Sequence, residues 1–235
     1  MMESSVVTAE VARFDALAQR WWDPRGPMAP LHAMNPLRVG WVDKHVRDAF
    51  GRNVRLLDVG CGAGLAAEAL AKCGHDVTGI DAAPEVIAAA TAHADGQNLQ
   101  LAYRVATAEA LLAEGARFEA ITSLEVLEHV ADPTAFVRTL AQMLSEGGVM
   151  VLSTLNRTRR SYLTAKLGAE YVLRMLPVGT HDWSKFLTPA EVAGMLRAAG
   201  LRVTDLAGMG FSPLNGRWKL TRDTAVNYIM AARRD

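Results

Sequence analysis

The segment from Asp58 to Gly64 places three glycines between an apolar run and a helical pattern, and it constrains the fold strongly. The apolar run spans Val54 to Val59, and the helical pattern spans Leu65 to Lys72. Glycine allows positive φ and close approach of the backbone to a ligand. The start of the helix offers free N–H groups and a partial positive charge. A strand, a glycine turn and a helix in this order predict a nucleotide-binding turn.

A second strand pattern follows this helix and ends in an acid, Asp81. An acid at the tip of the strand after a glycine loop accepts hydrogen bonds from the two hydroxyls of a ribose. The alternative is that Asp81 caps the helix predicted from Glu85 to His93, because Pro84 stands at its start. The glycine spacing is G-x-G-x-G and not the G-x-G-x-x-G of dinucleotide enzymes, which argues against a nicotinamide oxidoreductase. With Asp58 before the first glycine, the segment resembles motif I of the class I S-adenosylmethionine-dependent methyltransferases.

Strand patterns alternate with helical patterns after the glycine turn, which predicts an α/β fold with a mostly parallel seven-stranded sheet and helices on both faces. The seven expected strands are Val54–Val59, Val77–Ile80, Leu99–Val105, Ala120–Leu124, Val149–Leu155, Leu201–Leu206 and Ala225–Ala231. Two helices precede them, Thr8–Trp22 and Pro36–Phe50. The first is amphipathic, and we expect its apolar stripe to pack on the core, with a pocket-lining role as the alternative for Trp21. The stripe consists of Val11, Phe14, Leu17, Ala18 and Trp21. The alternation stops between residues 156 and 187. We therefore predict a single domain over residues 1–235, with N-terminal helices at 8–50 and a substrate or lid insertion at about 156–187.

Composition and charge exclude several classes of function. The chain has 235 residues, of which 50% are hydrophobic and 21% charged, and its formal net charge is +0. This composition is typical of a globular protein, and it gives no basic signal for nucleic acid. Cys61 and Cys73 form neither a metal pattern nor a disulfide framework. There is no signal-peptide pattern and no apolar run of the about 20 residues that a membrane span needs, so we expect a cytoplasmic protein.

Three chemically active side chains, Glu125, Glu128 and His129, directly follow the strand predicted at Ala120–Leu124. In a helical turn they would occupy neighbouring positions. Two carboxylates and an imidazole suit a divalent cation, and the histidine also suits proton abstraction from a phenol. The alternative is a surface helix start with charge pairs and a capping histidine. The sequence does not separate a metal ligand from a general base at His129.

Matches beyond the glycine turn make the resemblance specific. From about residue 13 to about residue 230 the chain closely resembles the ubiquinone biosynthesis O-methyltransferases. The segments that carry this resemblance are Arg20-Trp21-Trp22-Asp23, Pro30-Leu31-His32, Asn35-Pro36-Leu37-Arg38, Ser153-Thr154-Leu155-Asn156-Arg157, Gly168-Ala169-Glu170-Tyr171-Val172-Leu173-Arg174-Met175-Leu176-Pro177, Gly179-Thr180-His181-Asp182-Trp183-Ser184-Lys185-Phe186 and Asp223-Thr224-Ala225-Val226-Asn227-Tyr228. Several of them lie outside the common methyltransferase core.

The resemblance implies a Rossmann-like class I methyltransferase fold, with S-adenosyl-L-methionine as methyl donor. It implies that the donor is bound by Arg38, Gly60, Asp81 and Leu124, and that Mg²⁺ is bound by Glu125, Glu128 and His129. From the chemistry of its side chain we predict His129 as the catalytic residue, either as metal ligand or as base. The implied substrates are a 2-polyprenyl-6-hydroxyphenol and a 3-demethylubiquinol. Ala63 stands where several relatives carry glycine, which matters only if residue 63 needs positive φ.

The insertion suggests further partners. From Arg157 to Leu176 it carries five basic residues and one acid, which predicts either a lid buried on its own domain or a lid that docks on an anionic membrane surface. The resemblance adds other proteins of the ubiquinone pathway as partners, and a peripheral position on the inner face of the membrane. Two other functions stay open: another small-molecule phenol or quinone methyltransferase, and a non-catalytic lipid-binding assembly factor.

Overall fold

The computed structural model describes residues 5–163, 183–212 and 217–235. Its centre is an eight-stranded sheet with the order β3-β2-β1-β4-β5-β8-β6-β7. Strands β1 to β5 pair in parallel, and the pairs that involve β8 and β7 are antiparallel. The strands are β1 Arg55–Val59, β2 Asp76–Asp81, β3 Leu101–Val105, β4 Phe118–Leu124, β5 Leu144–Leu155, β6 Leu201–Ser212, β7 Arg217–Thr221 and β8 Asn227–Arg234.

The predicted α/β class and mostly parallel sheet are confirmed, with one additional strand. The unpredicted strand is β7, which forms an antiparallel hairpin with β6 at the edge of the sheet. Its residues are mostly exposed, so Arg217–Thr221 lacks the apolar run by which the other strands were found.

Helices cover both faces of the sheet. Successive residues of each strand point to opposite faces, and since both sets are apolar in β1, each face needs helices to bury it. Leu57 packs in one hydrophobic cluster with residues of the helices α5, α6 and α8, and Leu56 packs in the other with residues of α2 and α3. The helices are α1 Thr8–Asp15, α2 Ala29–Phe50, α3 Leu65–Lys72, α4 Pro84–Ala94, α5 Ala108–Ala113, α6 Pro133–Met143, α7 Arg159–Tyr162 and α8 Pro189–Ala198.

The two N-terminal helices differ from their predicted bounds. α1 ends at Asp15, and a short 3₁₀ helix at Ala18–Arg20 follows it, so the predicted helix Thr8–Trp22 is too long. α2 begins at Ala29 and carries Pro36 in its interior, whereas the sequence placed Pro36 at the start. Pro30 occupies the first turn of α2 instead, where a missing N–H is harmless.

The apolar stripe predicted for the N-terminal helix does pack on the domain, although the helix is short. Ala18 and Trp21 are buried in a third cluster with Ala63 and Leu65 of the glycine turn and α3. The half-buried side chains Val11, Phe14 and Leu17 pack against it. The N-terminal segment is thereby held over the glycine turn.

The predicted insertion lies mainly outside the described residues. Of its predicted basic residues, Arg157, Arg159 and Arg160 are described, and Lys166 and Arg174 are not. Among the described residues, no helix is long and apolar enough to span a bilayer.

Candidate functional site

A pocket lies at the carboxyl ends of the parallel strands, where open α/β sheets bind their ligands. Its floor and walls come from the glycine turn after β1, from residues 81–82 after β2, from 106–108 after β3 and from 124–126 after β4. Residues of the N-terminal segment cover it. Of the predicted site residues, the pocket brings together Arg38, Gly60, Asp81, Leu124, Glu125 and His129.

Positive φ angles and close contacts explain the glycines of the turn. Gly60, Gly62 and Gly64 have φ of 70°, 54° and 91°. A Cβ at Gly60 would lie 2.5 Å from Cγ2 of Val126, and one at Gly62 would lie 2.3 Å from Cζ2 of Trp21. Both distances are far below van der Waals contact. Ala63 does not have positive φ, so its departure from glycine does not strain the turn.

Asp81 connects the glycine turn to the end of β2. Its Oδ2 accepts a hydrogen bond of 3.0 Å from the N–H of Gly62, and its Oδ1 accepts one of 3.0 Å from the N–H of Ala83. Burial raises the pKa of Asp81, while these backbone donors oppose the rise. An ionised carboxylate has about four acceptor positions, so each oxygen retains a lone pair that can accept a ribose hydroxyl.

Arg38 and Asp58 bring opposite charges to the inner end of the pocket. Arg38 is only 3% exposed, and its Nε has no hydrogen-bond partner among the described residues. Burial lowers the pKa of Arg38, and the nearby Glu125 and Asp58 carboxyls oppose this. Asp58 accepts a 2.8 Å hydrogen bond from Thr122 at Oδ1, and its buried Oδ2 likewise has no described partner. Burial raises the pKa of Asp58 to about 6.

Arg38 and Asp58 line the same pocket, and each has one buried polar atom without a described partner. Buried polar atoms normally have partners. A guanidinium N–H and a carboxylate oxygen that both line a pocket without partners match a zwitterionic ligand that carries a carboxylate and an ammonium. In the sequence Asp58 was only part of the glycine motif, because Arg38 lies 20 residues before it and only the fold brings the two charges together.

The turn after β4 is a short loop followed by a 3₁₀ helix, so it corresponds to the first of the two shapes, loop or helical turn, that the sequence left open. Glu125 has φ of 60°, a left-handed conformation that is uncommon for a residue other than glycine. Leu127–His129 then form a short 3₁₀ helix. Because Glu125 has positive φ, Glu125, Glu128 and His129 do not share one regular helical turn.

The three side chains of this turn have separate partners. Glu125 Oε1 accepts a 2.7 Å hydrogen bond from Ser153, and Glu128 Oε2 accepts one of 2.7 Å from Thr154. Burial, and then the neighbouring Glu125, raise the pKa of Glu128 to about 8. Glu125 lines the pocket, whereas Glu128 is only 4% exposed and lies behind the wall.

This arrangement does not fit one shared cation. Across residues 5–163, 183–212 and 217–235, no group of three or more His, Cys, Asp or Glu side chains could hold a metal ion. The predicted Mg²⁺ site gains no support from the geometry.

His129 lines the pocket and contacts the N-terminal segment. Its Nδ1 lies 3.1 Å from Oε2 of Glu10, and the edge of its ring meets Phe14 at 5.3 Å between centroids and 87° between planes. Its side chain is 15% exposed, so solvent and ligand can reach part of the ring. An imidazole beside a carboxylate, in a pocket, is an arrangement that can accept a proton from a bound hydroxyl.

Sequence reasoning did not identify the pocket cover. Ser5, Val7, Glu10, Val11 and Phe14 all line the pocket from the N-terminal segment. The amphipathic pattern of α1 indicated that it packs on the domain, but no motif or spacing related it to the glycine turn. Trp21, predicted as a core residue, has two roles. It is buried in the core, with 6% of its surface exposed, and it also forms part of the pocket wall.

Fold and pocket together define a methyltransferase domain, and a family profile described as "Methyltransferase domain" matches residues 35–206. The "Ubiquinone biosynthesis O-methyltransferase" of Azorhizobium caulinodans is 48% identical over 239 residues, covering 98% of this chain and 94% of that protein. The protein of the same name from Cereibacter sphaeroides is 47% identical and covers 98% of both chains. The chain belongs to the ubiquinone biosynthesis O-methyltransferase family.

Solved structures of more distant proteins share the fold. Magnesium protoporphyrin IX methyltransferase from Synechocystis with bound SAH matches with a TM-score of 0.70 at 19% identity, covering 95% of each chain. The plantazolicin methyltransferase BpumL, in complex with a monoazolic desmethylPZN analog and SAH, matches with a TM-score of 0.63 at 18% identity, covering 97% of each chain. At this level of identity, the likeness establishes the fold.

Proposed function

We propose that the protein transfers a methyl group from S-adenosylmethionine to a phenolic hydroxyl of a ubiquinone precursor. One observation carries the proposal: a single covered pocket combines groups suited to a nucleoside, groups suited to an amino acid zwitterion, and a histidine beside a carboxylate. S-adenosylmethionine is a nucleoside joined to an amino acid. The names of the 46–48% identical relatives support the reaction and the pathway.

Three residues of the pocket are proposed to orient the donor. Asp81 holds the ribose hydroxyls through the lone pairs that its two backbone donors leave available. Arg38 binds the carboxylate of the methionine moiety, and Asp58 binds its ammonium. Gly60 and Leu124 complete the surface against the donor. Two opposite charges at fixed positions give the donor one orientation, which directs its methyl group.

The chemical step is an in-line displacement at the methyl carbon. The sulfonium is already activated, so the protein contributes mainly by aligning the acceptor oxygen with the S–CH₃ bond. A phenol has a pKa near 10 and is a weak nucleophile at neutral pH. His129 is proposed as the base that takes the phenolic proton as the O–CH₃ bond forms and the S–CH₃ bond breaks. The proton then leaves from His129 to solvent, and S-adenosylhomocysteine (SAH) remains.

The acceptors proposed here are the hydroxyls of a 2-polyprenyl-6-hydroxyphenol and of a 3-demethylubiquinol. Their rings are small enough to reach a donor in a covered pocket, whereas the polyprenyl chain has to extend away from it. The names of the relatives state the pathway but not the substrate. The choice of these two acceptors therefore rests on the family resemblance seen in the sequence. Magnesium at Glu125, Glu128 and His129 likewise stays a prediction, which chelation tests.

A membrane position is proposed from the chemistry of these acceptors and from the ends of the insertion. Tyr162, Leu163 and Trp183 lie toward the two ends of the insertion and are 39%, 53% and 37% exposed. Aromatic and aliphatic side chains of this kind suit a bilayer interface. Arg157 pairs with Glu191, and Arg160 pairs with Asp223. The attraction to anionic lipid is assigned to Arg159, which has no ion pair among the described residues, and, from the sequence, to Lys166 and Arg174.

Vesicle binding tests this position. The triple variant Arg159→Gln/Lys166→Gln/Arg174→Gln should bind vesicles containing anionic lipid less tightly than the wild type, and neutral vesicles equally. Arg157 is left in place because its ion pair and its hydrogen bond to the carbonyl of Phe186 hold the chain near α8. Equal binding of the wild type to neutral and anionic vesicles would eliminate the electrostatic contribution. Pathway proteins as partners and a cytoplasmic location stay predictions.

Methyl transfer to a short-chain prenyl catechol tests the proposed activity. The wild type should form a catechol mono-methyl ether and SAH in equal amounts. His129→Ala should lower turnover far more than it weakens SAH binding, because His129 is not among the residues proposed to hold the ribose, the carboxylate or the ammonium of the donor. A protein that binds lipid and SAH but methylates no phenol would be a non-catalytic assembly factor.

A further inference from the structure

The strands β6 and β7 form a hairpin that extends beyond the rest of the sheet. Gly208 of β6 pairs with Tyr228 of β8, which in turn pairs with Thr154 near the end of β5. Past this level the described pairs of β6 are with β7 alone, as far as Ser212 and Arg217. At about 3.4 Å per residue, this carries the hairpin about 13 Å past the carboxyl edge of the sheet. The pocket lies at the same edge.

One face of this extension is apolar. Phe211 pairs with Trp218, and Met209 pairs with Leu220, so these four side chains share one face of the hairpin. Met209 is buried in the cluster that includes residues of α2, and Trp218 packs against the same cluster. Phe211 and Leu220 are 52% and 43% exposed. The apolar face thus begins in the core and ends in two large side chains that are open to solvent.

The opposite face and the end of β7 are basic. Arg217 and Lys219 alternate with Trp218 along β7 and so lie on the other face. From Leu206 to Arg222 the sequence has three basic residues and no acidic one, in a chain of formal net charge +0. Lys219 and Arg222 are exposed and form no ion pair within the part of the chain that the structure describes.

The base of the hairpin is joined to the start of the insertion. Asp223, which follows β7, pairs with Arg160 of α7. The hydroxyl of Thr158 donates a 2.6 Å hydrogen bond to the carbonyl of Ala225. The exposed aromatic side chains at the ends of the insertion and those of the hairpin therefore lie at the same edge of the sheet.

We propose that the exposed end of the hairpin docks on the surface of an anionic bilayer. The docking surface, called the hairpin patch below, consists of Phe211, Trp218, Lys219, Leu220 and Arg222. Its apolar side chains enter the interface between headgroups and acyl chains, and its two cations meet anionic headgroups. The inference rests on the proposed polyprenylated acceptor, whose chain resides in a bilayer. Docking brings the carboxyl edge of the sheet, where the pocket lies, toward that bilayer.

A second copy of the chain fits the hairpin patch less well than lipid does. β7 is the edge strand of the sheet, and a lysine on an edge strand often serves to prevent pairing with another chain. That function explains Lys219 but not the exposed Phe211 and Leu220 on the other face. A symmetric contact between two copies would also bring the same basic residues together, and like charges at a contact oppose association.

Co-sedimentation with vesicles tests the hairpin patch. The vesicles are phosphatidylcholine alone, or phosphatidylcholine with phosphatidylglycerol. Phe211→Ser/Leu220→Ser should bind the anionic vesicles at least about tenfold less tightly than the wild type, because two apolar side chains no longer leave water. Lys219→Gln/Arg222→Gln should weaken binding to the anionic vesicles by about tenfold or more and leave binding to the neutral ones unchanged.

Two control variants match these changes in number and exposure. Leu206→Ser removes a leucine that is 41% exposed on β6. Leu206 pairs with Met230 and so lies on the other face, within the sheet. Arg117→Gln/Arg138→Gln removes two exposed charges, before β4 and on α6. Both controls should bind the two kinds of vesicle as the wild type does.

Quenching of tryptophan fluorescence gives a second measurement that needs only a conservative change. Anionic vesicles with brominated acyl chains should quench part of the fluorescence of the wild type. Trp218→Phe should lose a share of this quenching, because Trp218 lies on the apolar face of the hairpin. The same quenched intensity in Trp218→Phe and in the wild type would place this side chain outside the bilayer and overturn the proposal.

Four results of the vesicle experiment would overturn the hairpin patch. They are no binding of the wild type to anionic vesicles, wild-type binding by both hairpin variants, equal losses in the hairpin variants and their controls, and a wild-type dimer that Phe211→Ser/Leu220→Ser abolishes while vesicle binding is retained. The last result would assign the face to a second copy.

The hairpin patch and the proposed methyl transfer can fail separately. The hairpin variants should methylate a soluble short-chain catechol at the wild-type rate and a long-chain acceptor in anionic vesicles more slowly. If the wild type methylates the soluble catechol but the hairpin variants bind vesicles normally, the patch is overturned and the reaction stands. If the hairpin variants lose vesicle binding but the wild type methylates no phenol, the patch stands and the proposed reaction is refuted.

Discussion

Replacement of Asp81 by Asn should weaken donor binding, a loss that can be measured separately from any change in the stability of the free protein. The substitution keeps the shape of the side chain but removes its charge, and it leaves one of the backbone donors Gly62 and Ala83 without an acceptor oxygen. A hydrogen bond to a charged group contributes about 1.5–3 kcal/mol. Loss of one such bond to the ribose weakens SAH binding at least about tenfold, since 1.4 kcal/mol corresponds to a factor of ten.

Ligand-induced thermal stabilisation measures this loss. At an SAH concentration 100 times the wild-type Kd, bound ligand stabilises the wild type by about 2.7 kcal/mol, whereas a tenfold weaker variant gains about 1.4 kcal/mol. For a domain of this size 1 kcal/mol shifts Tm by about 2–4 °C. The SAH-induced rise in Tm should therefore be smaller in Asp81→Asn by about 3–5 °C.

The matched control is Asp76→Asn, at the exposed start of the same strand. It removes one carboxylate charge far from the pocket and should retain the full SAH-induced rise in Tm. Calorimetric titration with SAH gives the two Kd values directly. Equal Kd values for Asp81→Asn and the wild type would refute the ribose assignment, and equal weakening in both variants would indicate a general charge effect.

Three further predictions concern the rest of the pocket. Burial raises the pKa of Asp58 to about 6 from the usual 3.8. Above pH 6 the free protein therefore carries an ionised Asp58 at a cost in folding stability, and Asp58→Asn should raise the ligand-free Tm at pH 7, with a gain that disappears as pH falls from 6 toward 4. The same variant should bind SAH more weakly at pH 7, and calorimetric Kd values equal to the wild type would exclude an ammonium site there. His129→Ala should reduce kcat by about 10²-fold or more, and a wild-type rate would exclude the base. If the Mg²⁺ prediction holds, chelation should abolish turnover, added Mg²⁺ should restore it and SAH affinity should stay constant, whereas full activity after exhaustive chelation would contradict it.

The glycine turn and Asp81 could be predicted from the sequence because their function depends on local order along the chain. Three glycines after an apolar run need no distant partner to be recognised, and the acid follows at the end of the next strand. The structure explains each glycine by positive φ or by a close contact. These are properties that a short segment carries by itself.

The pocket cover and the acidic turn could not be predicted in the same way. Glu10 lies 119 positions before His129 in the sequence, and only the docking of α1 brings the two side chains together. The sequence left a loop or a helical turn open at Glu125, and hydrogen bonds from Ser153 to its side chain and from its N–H to the carbonyl of Ser153 hold it at positive φ. Tertiary contacts thus decide between the two shapes at the position where the chemistry is proposed.

The most direct test of the proposed function follows a labelled methyl group. Purified protein is incubated with S-adenosylmethionine labelled in its methyl group and with a short-chain 2-prenyl-6-hydroxyphenol, and the product is analysed by mass spectrometry and NMR. The proposed function predicts one labelled methyl group on a phenolic oxygen for each SAH formed, with little product from His129→Ala. Label on a ring carbon, or no label in the phenol while SAH binds normally, would contradict it.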